Sequence, residues 1–537
     1  MLSRSTLYFL APMAAIVIAH ALVDVPSEPY FNNDETRHVM SGVFFRDLYF
    51  DAPARQPKEY AVRYYLQYPA LGLMVWPPFF YGVEGAWMCV FGTSFSAAKA
   101  LVGLFGILAG LSFFRLARRT LDPLSTSIAL GLLGFAPLIF QFSRQVMLEI
   151  PCLALVLTAI FYFERYLDDQ RRCDAWSACL LAALAALTRF DGVLLILYFG
   201  LRLLMTGNLR LLLRGPVIGG FLLAIILTGP YYAYTMREYG STISKTAQEG
   251  SSPNATSFFA LKNFIYYPSC IPDQVGWFAA IAAGVGILFS FNKRSGPFLG
   301  MLGATYLFFT PIAELDARHA IYWVPALAYF AVMGCRGIAR RVAVERLYLP
   351  LALIVLGGTV VAGIRQPAFY VFGYEEAAEY VLKNTTETRV CLMDGFLNGD
   401  FIYQVRRHDP DRRLWVLRGD KLFYTVLCDP HAGYKEHAKE EQQVLDLIHR
   451  FDPELIVVEE PQLYFELPGA TLLRQVLHDH PERFQLEKSV PIRTNHFRFA
   501  GARLEIWRNL IRNPNRSEKL EVEMLTIGKS LGADMKK

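Results

Sequence analysis

The sequence is poor in charged residues. Of its 537 residues only 19% are Asp, Glu, Lys or Arg, whereas 53% are hydrophobic. Soluble globular chains carry about 25% charged residues. Because the deficit extends over so long a chain, it argues against an ordinary soluble enzyme and indicates that much of the protein faces lipid.

The sequence also lacks the short motifs of several large enzyme classes. It contains no G-x-x-x-x-G-K-[ST], G-x-S-x-G or H-E-x-x-H pattern, so nothing indicates a phosphate-binding loop, a nucleophile elbow or a zincin site. None of the eight cysteines form a C-x-x-C pair, and several lie in apolar runs. This favours small buried hydrophobic roles over a zinc site or a disulfide framework. No nucleic-acid partner is expected.

What the sequence does contain is a series of apolar segments. A membrane-spanning helix needs about 20 predominantly apolar residues, and about 11 segments qualify, some of them short. They centre on residues 7–25, 96–114, 124–142, 148–164, 175–188, 190–206, 215–235, 275–291, 297–312, 319–335 and 347–364. The sequence therefore predicts a polytopic α-helical membrane protein, and membrane lipids are its expected surroundings.

The basic clusters all fall on one side of this eleven-span arrangement. They follow spans 2, 4, 6, 8 and 10, and Arg4 precedes span 1. Lys and Arg concentrate in cytoplasmic loops, so the N-terminus is predicted to be cytoplasmic. No A-x-A cleavage site follows the first apolar run, which is therefore predicted to be a retained span. The expected location is the cell membrane, with the long loops on the periplasmic or extracellular side.

Two domains are predicted. Residues 1–365 form a membrane domain whose outer loop, residues 26–95, carries amphipathic helices on the membrane surface. In residues 366–537 amphipathic stretches alternate with short apolar runs, which predicts a soluble α/β domain on the same outer side. The polar segment after Asn509 is predicted to be frayed. A second long outer loop is predicted from Met236 to about Asp273.

Ionisable residues cluster where the outer loops meet the spans. The first cluster is Asn33-Asp34-Glu35, about ten residues after span 1. Adjacent carboxylates beside an interface are suited to act as a general base, an acceptor clamp or a metal ligand. Asn33 or Asp34 can equally cap the start of a helix. Both interpretations are compatible with one another.

The second cluster surrounds Glu149, between spans 3 and 4. A carboxylate at the membrane boundary is costly without a partner, and Arg144, five residues earlier, is the predicted one. One interpretation is a structural ion pair. The other is a second acid that completes a site with Asp34.

The third and fourth clusters contribute further cations. Arg189 lies in a tight turn between spans 5 and 6, where it is suited to hold a phosphate or to pair locally with Asp191. Arg318, between spans 9 and 10, is another candidate for binding a diphosphate or lipid phosphate. Its neighbour His319 is a candidate substrate contact, although a lone histidine at a helix start is more often structural.

The segment Arg55–Pro69 is cationic and aromatic. Its candidate substrate-binding residues are Lys58, Arg63, Tyr64 and Tyr68. Tyrosines stack on sugars and also gather at membrane interfaces. An interfacial aromatic belt is at least as good an interpretation as a substrate contact.

The order of these features resembles the GT-C superfamily of glycosyltransferases. The resemblance covers residues 1–365 and rests on the acidic pair Asp34-Glu35, the Pro-rich aromatic surface stretch, the R-x-x-x-L-[DE]-x-P loop Arg144–Pro151 and a basic residue before span 10. It is nearest to bacterial members of the protein-mannosyltransferase type, including the aminoarabinose transferase that modifies lipid A.

The resemblance implies a polyprenyl-phosphate-linked sugar donor and an inverting transfer to a glycan, lipid or protein acceptor. By position, Asp34 would be the general base with Glu35 beside it, and Glu149 the second outer acid. The donor phosphate would be bound by Arg144, Arg189 and Arg318. A divalent cation (Mg or Mn) is needed by some superfamily members, whereas the protein-mannosyltransferase type often needs none. If one is bound here, Asp34 and Glu149 would be its ligands.

The sequence departs from the family pattern at two places, and two other functions stay open. Tyr68-Pro69 stands where relatives often have His-Pro-Pro or Lys-Pro-Pro, and Arg189 stands where lysine is common. A lipid-linked glycan transporter or flippase would place charges near mid-membrane and often shows inverted repeats. A glycan-binding membrane protein would act through its outer domain instead.

Overall fold

The structure, a computed structural model, describes residues 4–24, 33–52, 56–72, 75–250, 255–290, 292–426, 430, 433–524 and 527–535. Its contacts divide the chain into two compact units. The membrane unit comprises Met1–Asp24, Met74–Phe80 and Lys99–Ala368. The α/β unit comprises Val25–Leu73, Tyr81–Ala98 and Phe369–Lys537.

The first part of the chain is helical. Its helices are α1 Arg4–Val23, α2 Asn33–Asp51, α3 Pro57–Gln67, α4 Phe79–Phe91, α5 Phe95–Ala117, α6 Pro123–Phe135, α7 Pro137–Phe142, α8 Glu149–Asp169, α9 Arg172–Ala186, α10 Leu194–Thr206, α11 Gly215–Glu249, α12 Leu261–Ser269, α13 Ile271–Val275, α14 Trp277–Phe289, α15 Gly296–Phe309, α16 Val324–Arg341 and α17 Tyr348–Ile364. Short 3₁₀ helices lie at Phe190–Val193, Leu209–Leu213, Lys293–Ser295, Ala317–Trp323 and Glu345–Leu347.

Each of the eleven predicted spans coincides with a helix or with two consecutive helices. Six of the described helices are long and apolar enough to cross a membrane by themselves: Thr6–Val23, Phe95–Ala117, Glu149–Asp169, Gly215–Glu249, Ala317–Arg341 and Glu345–Ile364. The third predicted span is broken between α6 and α7, where Pro137 has no backbone N–H to continue the helix. The prediction of a polytopic helical membrane protein is confirmed.

Helix α11 is longer than its apolar stretch. It continues through Met236 to Glu249, so the first part of the predicted second outer loop is helical. The residues from Met236 to Glu249 include no proline. Polar side chains alone do not end a helix, because they can be solvated along it.

The C-terminal part is a mixed α/β structure. Its strands are β1 Val371–Phe372, β2 Val390–Asp394, β3 Trp415–Arg418, β4 Tyr424–Val426, β5 Tyr434–Glu436, β6 Leu455–Glu460, β7 Phe484–Pro491, β8 Arg493–Thr494, β9 Arg503–Asn509, β10 Lys519–Met524 and β11 Lys529–Asp534. Its helices are α18 Tyr374–Asn384, α19 Asn398–His408, α20 Gly419–Leu422, α21 Glu441–Phe451 and α22 Pro468–Asp479, with a 3₁₀ helix at Phe497–Phe499.

The main sheet has the strand order β3-β2-β6-β9-β7. β2 is parallel to β3 and β6, whereas β9 is antiparallel to both β6 and β7. All five residues of β2 are buried, as expected for a strand covered on both faces. The predicted C-terminal α/β region is confirmed. The predicted frayed tail is wrong, because β10 and β11 pair as an antiparallel hairpin.

Parts of the first long loop belong to the α/β unit. Asp47 at the end of α2 forms an ion pair with Arg406 of α19, with the carboxylate oxygen 2.6 Å from Nη2. The Gln67 amide donates to the carbonyl oxygens of Arg412 and Leu414 at 2.7 and 3.1 Å. Helices α2 and α3 therefore pack against the same core as residues 369–537, whereas the sequence-based boundary falls at residue 365.

Candidate functional site

Three loops of the membrane unit meet at the carboxylate of Glu149. Glu149 is the first residue of α8 and is fully buried. Its Oε1 accepts a hydrogen bond from Nη1 of Arg189 at 2.5 Å, and Nη1 of Arg318 lies 3.8 Å from the same oxygen. Its Oε2 has no hydrogen-bond partner among the described residues. The helix N-terminus also favours a carboxylate at this position.

Arg189 connects Glu149 to a second carboxylate. Its Nε lies 2.5 Å from Oδ2 of Asp191, and the Tyr322 hydroxyl donates to the same Oδ2 at 3.4 Å. Arg189 therefore pairs locally with Asp191, which was one of the two interpretations of the sequence, and it also reaches Glu149. Its phosphate-binding role stays a prediction. A guanidinium held by two carboxylates has a fixed orientation.

Arg318 is the cation of this cluster that reaches the surface. Its side chain is 27% exposed, compared with 9% for Arg189. Asp316 accepts the Arg318 backbone N–H at 2.9 Å and lies 2.8 Å from its Nε, so it caps the 3₁₀ helix and pairs with the guanidinium. Three carboxylates and two guanidiniums thus form one network, and an anion would approach it through Arg318.

Arg144 does not pair with Glu149, so that prediction is wrong. Its Nε donates to the Phe140 carbonyl at 3.2 Å and its Nη2 to the Gln366 carbonyl at 3.1 Å. Arg144 lies in the turn after α7, where the carbonyl four residues earlier is within its reach. Its Nη1 has no hydrogen-bond partner in the part of the chain that is described, so one buried donor of this arginine is unused.

His319 lies beside the cluster. Its ring stacks on Phe309, with the ring centres 5.5 Å apart and the planes inclined by 15°. Its Nδ1 is buried and has no hydrogen-bond partner within the described ranges. The stacking supports the structural interpretation, and the substrate-binding role stays a prediction.

Asp34 and Glu35 belong to the α/β unit. Helix α2 begins at Asn33, which places both carboxylates in its first turn, where the helix dipole stabilises them. Glu35 is buried, whereas the Asp34 side chain is 22% exposed and lies 3.8 Å from Nη1 of Arg37. Of the two, Asp34 is therefore the carboxylate that a substrate can reach. Its role as a base stays a prediction.

Tyr64 and Tyr68 are buried in the α/β unit. The Tyr64 hydroxyl donates to Asp47 at 2.7 Å, and the Tyr68 hydroxyl donates to Asp409 at 3.4 Å. Burial raises the pKa of both phenols well above the usual value, so both stay protonated and act as donors. These contacts favour a structural role, and the substrate-binding role stays a prediction.

Lys58 and Arg63 lie on α3, the helix that precedes these tyrosines. Lys58 is exposed. The Arg63 guanidinium lies 5.9 Å from the ring centre of Trp415 in β3, within the range of a cation–π contact. Arg63 therefore helps to attach α3 to the sheet.

The two carboxylates named as metal ligands, Asp34 and Glu149, lie in different units. Among the described residues, Glu375, Glu379 and His408 have ligand atoms within 4.8 Å of one another. Arg407 also pairs with Glu375 at 3.3 Å. This group was not among the residues predicted from the sequence, where its local signal is the i, i+4 spacing of the two glutamates on α18.

Residues 76–234 match the protein family described as dolichyl-phosphate-mannose-protein mannosyltransferase. No curated protein sequence is significantly similar to the chain.

Several solved structures have the same fold. ArnT from Cupriavidus metallidurans in the apo state matches with a TM-score of 0.61 at 12% identity, covering 94% of this chain and 97% of that one. The same protein bound to undecaprenyl phosphate matches with a TM-score of 0.60 at 13% identity, covering 93% and 97%. The archaeal oligosaccharyltransferase AglB from Archaeoglobus fulgidus, in complex with an inhibitory peptide and a dolichol-phosphate, matches with a TM-score of 0.54 at 12% identity, covering 84% and 69%.

At these identities the structural matches show the fold. The family match of residues 76–234, which include the Arg144–Pro151 loop but not Asp34-Glu35, bears out the predicted resemblance to the protein-mannosyltransferase type of the GT-C superfamily over that part of the chain.

Proposed function

We propose that this chain, which has the GT-C fold, transfers a sugar from a polyprenyl-phosphate donor to an acceptor on the non-cytoplasmic face of the membrane. The observation that carries the proposal is the convergence of Glu149, Arg189 and Arg318 from three separate loops. Each lies at the end of a predicted span, where the phosphate of a membrane-bound lipid would lie. The loops at the opposite ends of the spans carry the basic clusters, and Lys and Arg concentrate on the cytoplasmic side. This supports placing the Glu149 network on the non-cytoplasmic face.

The arginines are assigned to the leaving group. When the bond between the sugar and the phosphate oxygen breaks, negative charge grows on the polyprenyl phosphate. Arg318, the exposed cation, binds that phosphate, and Arg189 adds a second positive charge whose position is set by Glu149 and Asp191. Guanidinium groups already in place need no reorganisation as the charge develops, which is why such groups accelerate transfer.

Asp34 is assigned to the acceptor. It takes the proton of the acceptor hydroxyl while the hydroxyl oxygen forms the new bond to the anomeric carbon. The polyprenyl phosphate leaves from the opposite side of the sugar, so the anomeric configuration inverts. The exposed position of Asp34 in the first turn of α2 supports this role over that of buried Glu35.

The solved relatives support a lipid-phosphate donor. One is bound to undecaprenyl phosphate and another to a dolichol-phosphate. Nη1 of Arg144, which has no hydrogen-bond partner among the described residues, is compatible with a further phosphate contact after rearrangement. The archaeal oligosaccharyltransferase has also been solved with a tethered acceptor peptide, so protein acceptors belong in the assay beside glycans and lipids.

The test replaces Asp34 by asparagine in the purified full-length chain. The assay supplies radiolabelled sugars on undecaprenyl phosphate, with detergent-solubilised membranes from a strain lacking this chain as the acceptor source. General-base assistance contributes about 10²–10⁴ in rate, so transfer by Asp34→Asn is expected to fall by that factor. Solubilised membranes have no separate compartments, so transport does not produce the signal.

Asp51→Asn is the matched control. Asp51 is the last residue of the same helix and pairs with Arg412 at 2.5 Å. Its replacement perturbs the surface of α2 and is expected to leave transfer within about twofold of the wild type. Wild-type transfer by a folded Asp34→Asn variant would remove Asp34 from the mechanism.

A further inference from the structure

The segment that follows β2 is held by a buried carboxylate from β6. Oε2 of Glu459 accepts the backbone N–H of Phe396 at 2.6 Å, and Oε1 accepts that of Leu397 at 2.8 Å. The Tyr374 hydroxyl also donates to Oε1 at 2.7 Å. Glu459 is fully buried, and a Cβ at Gly395 would lie 2.4 Å from its carboxyl carbon, so the segment passes as close as glycine allows.

The opposite side of this segment contacts the start of α2. The Asn33 amide donates to the Phe396 carbonyl at 2.7 Å. A Cβ on Gly399 would lie 2.2 Å from Oγ1 of Thr36, so only glycine permits this approach of α19 to α2. Asn33 and Thr36 flank Asp34 and Glu35 in the sequence. The peptide that Glu459 holds on one side therefore holds the turn that carries Asp34 on the other.

Helix α19 also forms hydrogen bonds with the C-terminal end of α2. The Arg406 guanidinium donates to Asp47 at 2.6 and 3.0 Å. Gly399 at one end of α19 and Arg406 at the other thus contact the two ends of α2. A helix held at two separated points along its length can neither slide nor turn about its axis, and the direction in which Asp34 points is set as a result.

We propose that Glu459 is a positioning residue for sugar transfer: it orders residues 396–399, which set the orientation of the first turn of α2 and hence of Asp34. This inference rests on the proposed function, in which Asp34 is the base. The C-terminal domain thereby contributes to a reaction whose base lies more than 400 residues earlier in the chain. A displacement of about 1 Å in a reacting group costs on the order of 10² in rate. A small displacement of the turn that carries Asp34 would therefore lower the transfer rate measurably.

The test compares Glu459→Gln with Glu454→Gln. Glu454 is also buried and accepts the backbone N–H groups of Thr386, Thr388 and Arg389 at 3.1, 2.5 and 3.1 Å. Glu454 precedes β6, whereas Glu459 lies near the end of that strand. Among the described residues, the segment that Glu454 holds forms no hydrogen bond or ion pair with α2. Both variants lose a similar set of hydrogen bonds, so their melting temperatures should fall alike.

The kcat for sugar transfer is expected to distinguish the two variants. For Glu459→Gln, kcat is expected to fall about 10-fold to 10²-fold with the donor KM unchanged, because the base is displaced while the donor arginines are intact. For Glu454→Gln, kcat should stay within about twofold of the wild type. Equal kcat values for the two variants at equal melting temperatures overturn the proposal.

A second pair of variants covers the case in which Glu459→Gln does not fold. Gly399→Ala inserts a methyl group against Oγ1 of Thr36 and should lower kcat about 10-fold or more. The double variant Thr36→Ala/Gly399→Ala removes the atom in the way and should regain most of that loss. Loss without recovery in the double variant, at wild-type melting temperature, contradicts positioning through this contact.

A double-mutant cycle separates this inference from the proposed function. If Glu459 acts through Asp34, then Glu459→Gln adds no further loss of kcat in the Asp34→Asn background. Full additivity overturns the positioning role even if Asp34 is the base. If Asp34→Asn alone keeps wild-type activity, the assignment of the base fails, and the positioning role fails with it.

Discussion

Helix α8 carries two buried glutamates, each paired with an arginine from elsewhere in the membrane unit. Glu164 lies near its end, where Oε1 accepts from Nε of Arg202 at 2.6 Å and from the Tyr198 hydroxyl at 2.7 Å. Its Oε2 accepts from Nη2 of Arg202 at 2.8 Å. Glu149 begins the same helix, but Arg189 and Arg318 share its Oε1, whereas Oε2 is without a hydrogen-bond partner among the described residues.

The difference separates a closed ion pair from an open one. Both oxygens of Glu164 are occupied, and Arg202 is buried, so this pair offers nothing to a ligand. The Glu149 network has, within the described ranges, one acceptor oxygen without a hydrogen-bond partner, and it has an arginine that reaches the surface. Burial of a charged pair is therefore a poor sign of function by itself, and the informative quantity is how many hydrogen-bonding positions remain unfilled.

The largest expected effect is on the free energy of unfolding when the closed pair, Glu164 and Arg202, is broken. Glu164→Gln leaves Arg202 buried without a carboxylate, which costs about 3–5 kcal/mol of unfolding free energy. Glu149→Gln should cost less, about 1–3 kcal/mol, because Arg189 keeps Asp191 and Arg318 keeps Asp316. Unfolding in detergent measures both. Equal losses would show that the two pairs are energetically alike, contrary to the distinction between a closed and an open ion pair.

The second-largest expected effect is on the rate of sugar transfer when the Glu149 network loses an arginine. Arg318→Ala should lower transfer by about 10²–10³, the usual cost of removing one preorganised donor to a developing anion. Arg336→Ala is the control, because Arg336 lies on neighbouring α16, is 21% exposed and pairs with Asp122. It should leave the rate within about twofold of the wild type. Initial rates and undecaprenyl-phosphate binding measure the outcome, and similar rates for both variants would argue against phosphate binding by Arg318.

The smallest expected effect concerns a third buried glutamate, which lies in the α/β unit. Neither oxygen of Glu84 has a hydrogen-bond partner among the described residues, and a Cβ on Gly42 would lie 2.4 Å from its Oε2. An unsatisfied buried polar group costs about 1–3 kcal/mol, so Glu84→Met should raise the unfolding free energy by up to that amount. A decrease measured in the same unfolding assay would mean that Glu84 has a partner in solution.

The sequence predicted the membrane helices and the positions of the ionisable clusters well, because both depend on local composition. Three of the four clusters contribute to the Glu149 network, and each lies at a span end. The partner of Glu149 was not predictable in the same way. Arg144 is five residues away in sequence, but its guanidinium is used by the carbonyl oxygens of Phe140 and Gln366.

Two other features differ in what the sequence could have revealed. The β10–β11 hairpin had a local signal, since Leu520, Val522 and Met524 alternate with charged residues and are buried. The packing of α2 on α19 had none. Asp47 and Arg406 are 359 residues apart, and no local pattern in either segment indicates the other.

The contact between Asn33 and Phe396 joins residues 363 positions apart, and this separation has a consequence for biosynthesis. A ribosome adds about 5–20 residues per second, so the first turn of α2 exists for tens of seconds before its support is made. During that time the membrane helices can insert while Asp34 lacks its final orientation. A nascent or truncated chain would therefore be inserted into the membrane before it can transfer sugar. The proposed activity would be reached only as translation ends.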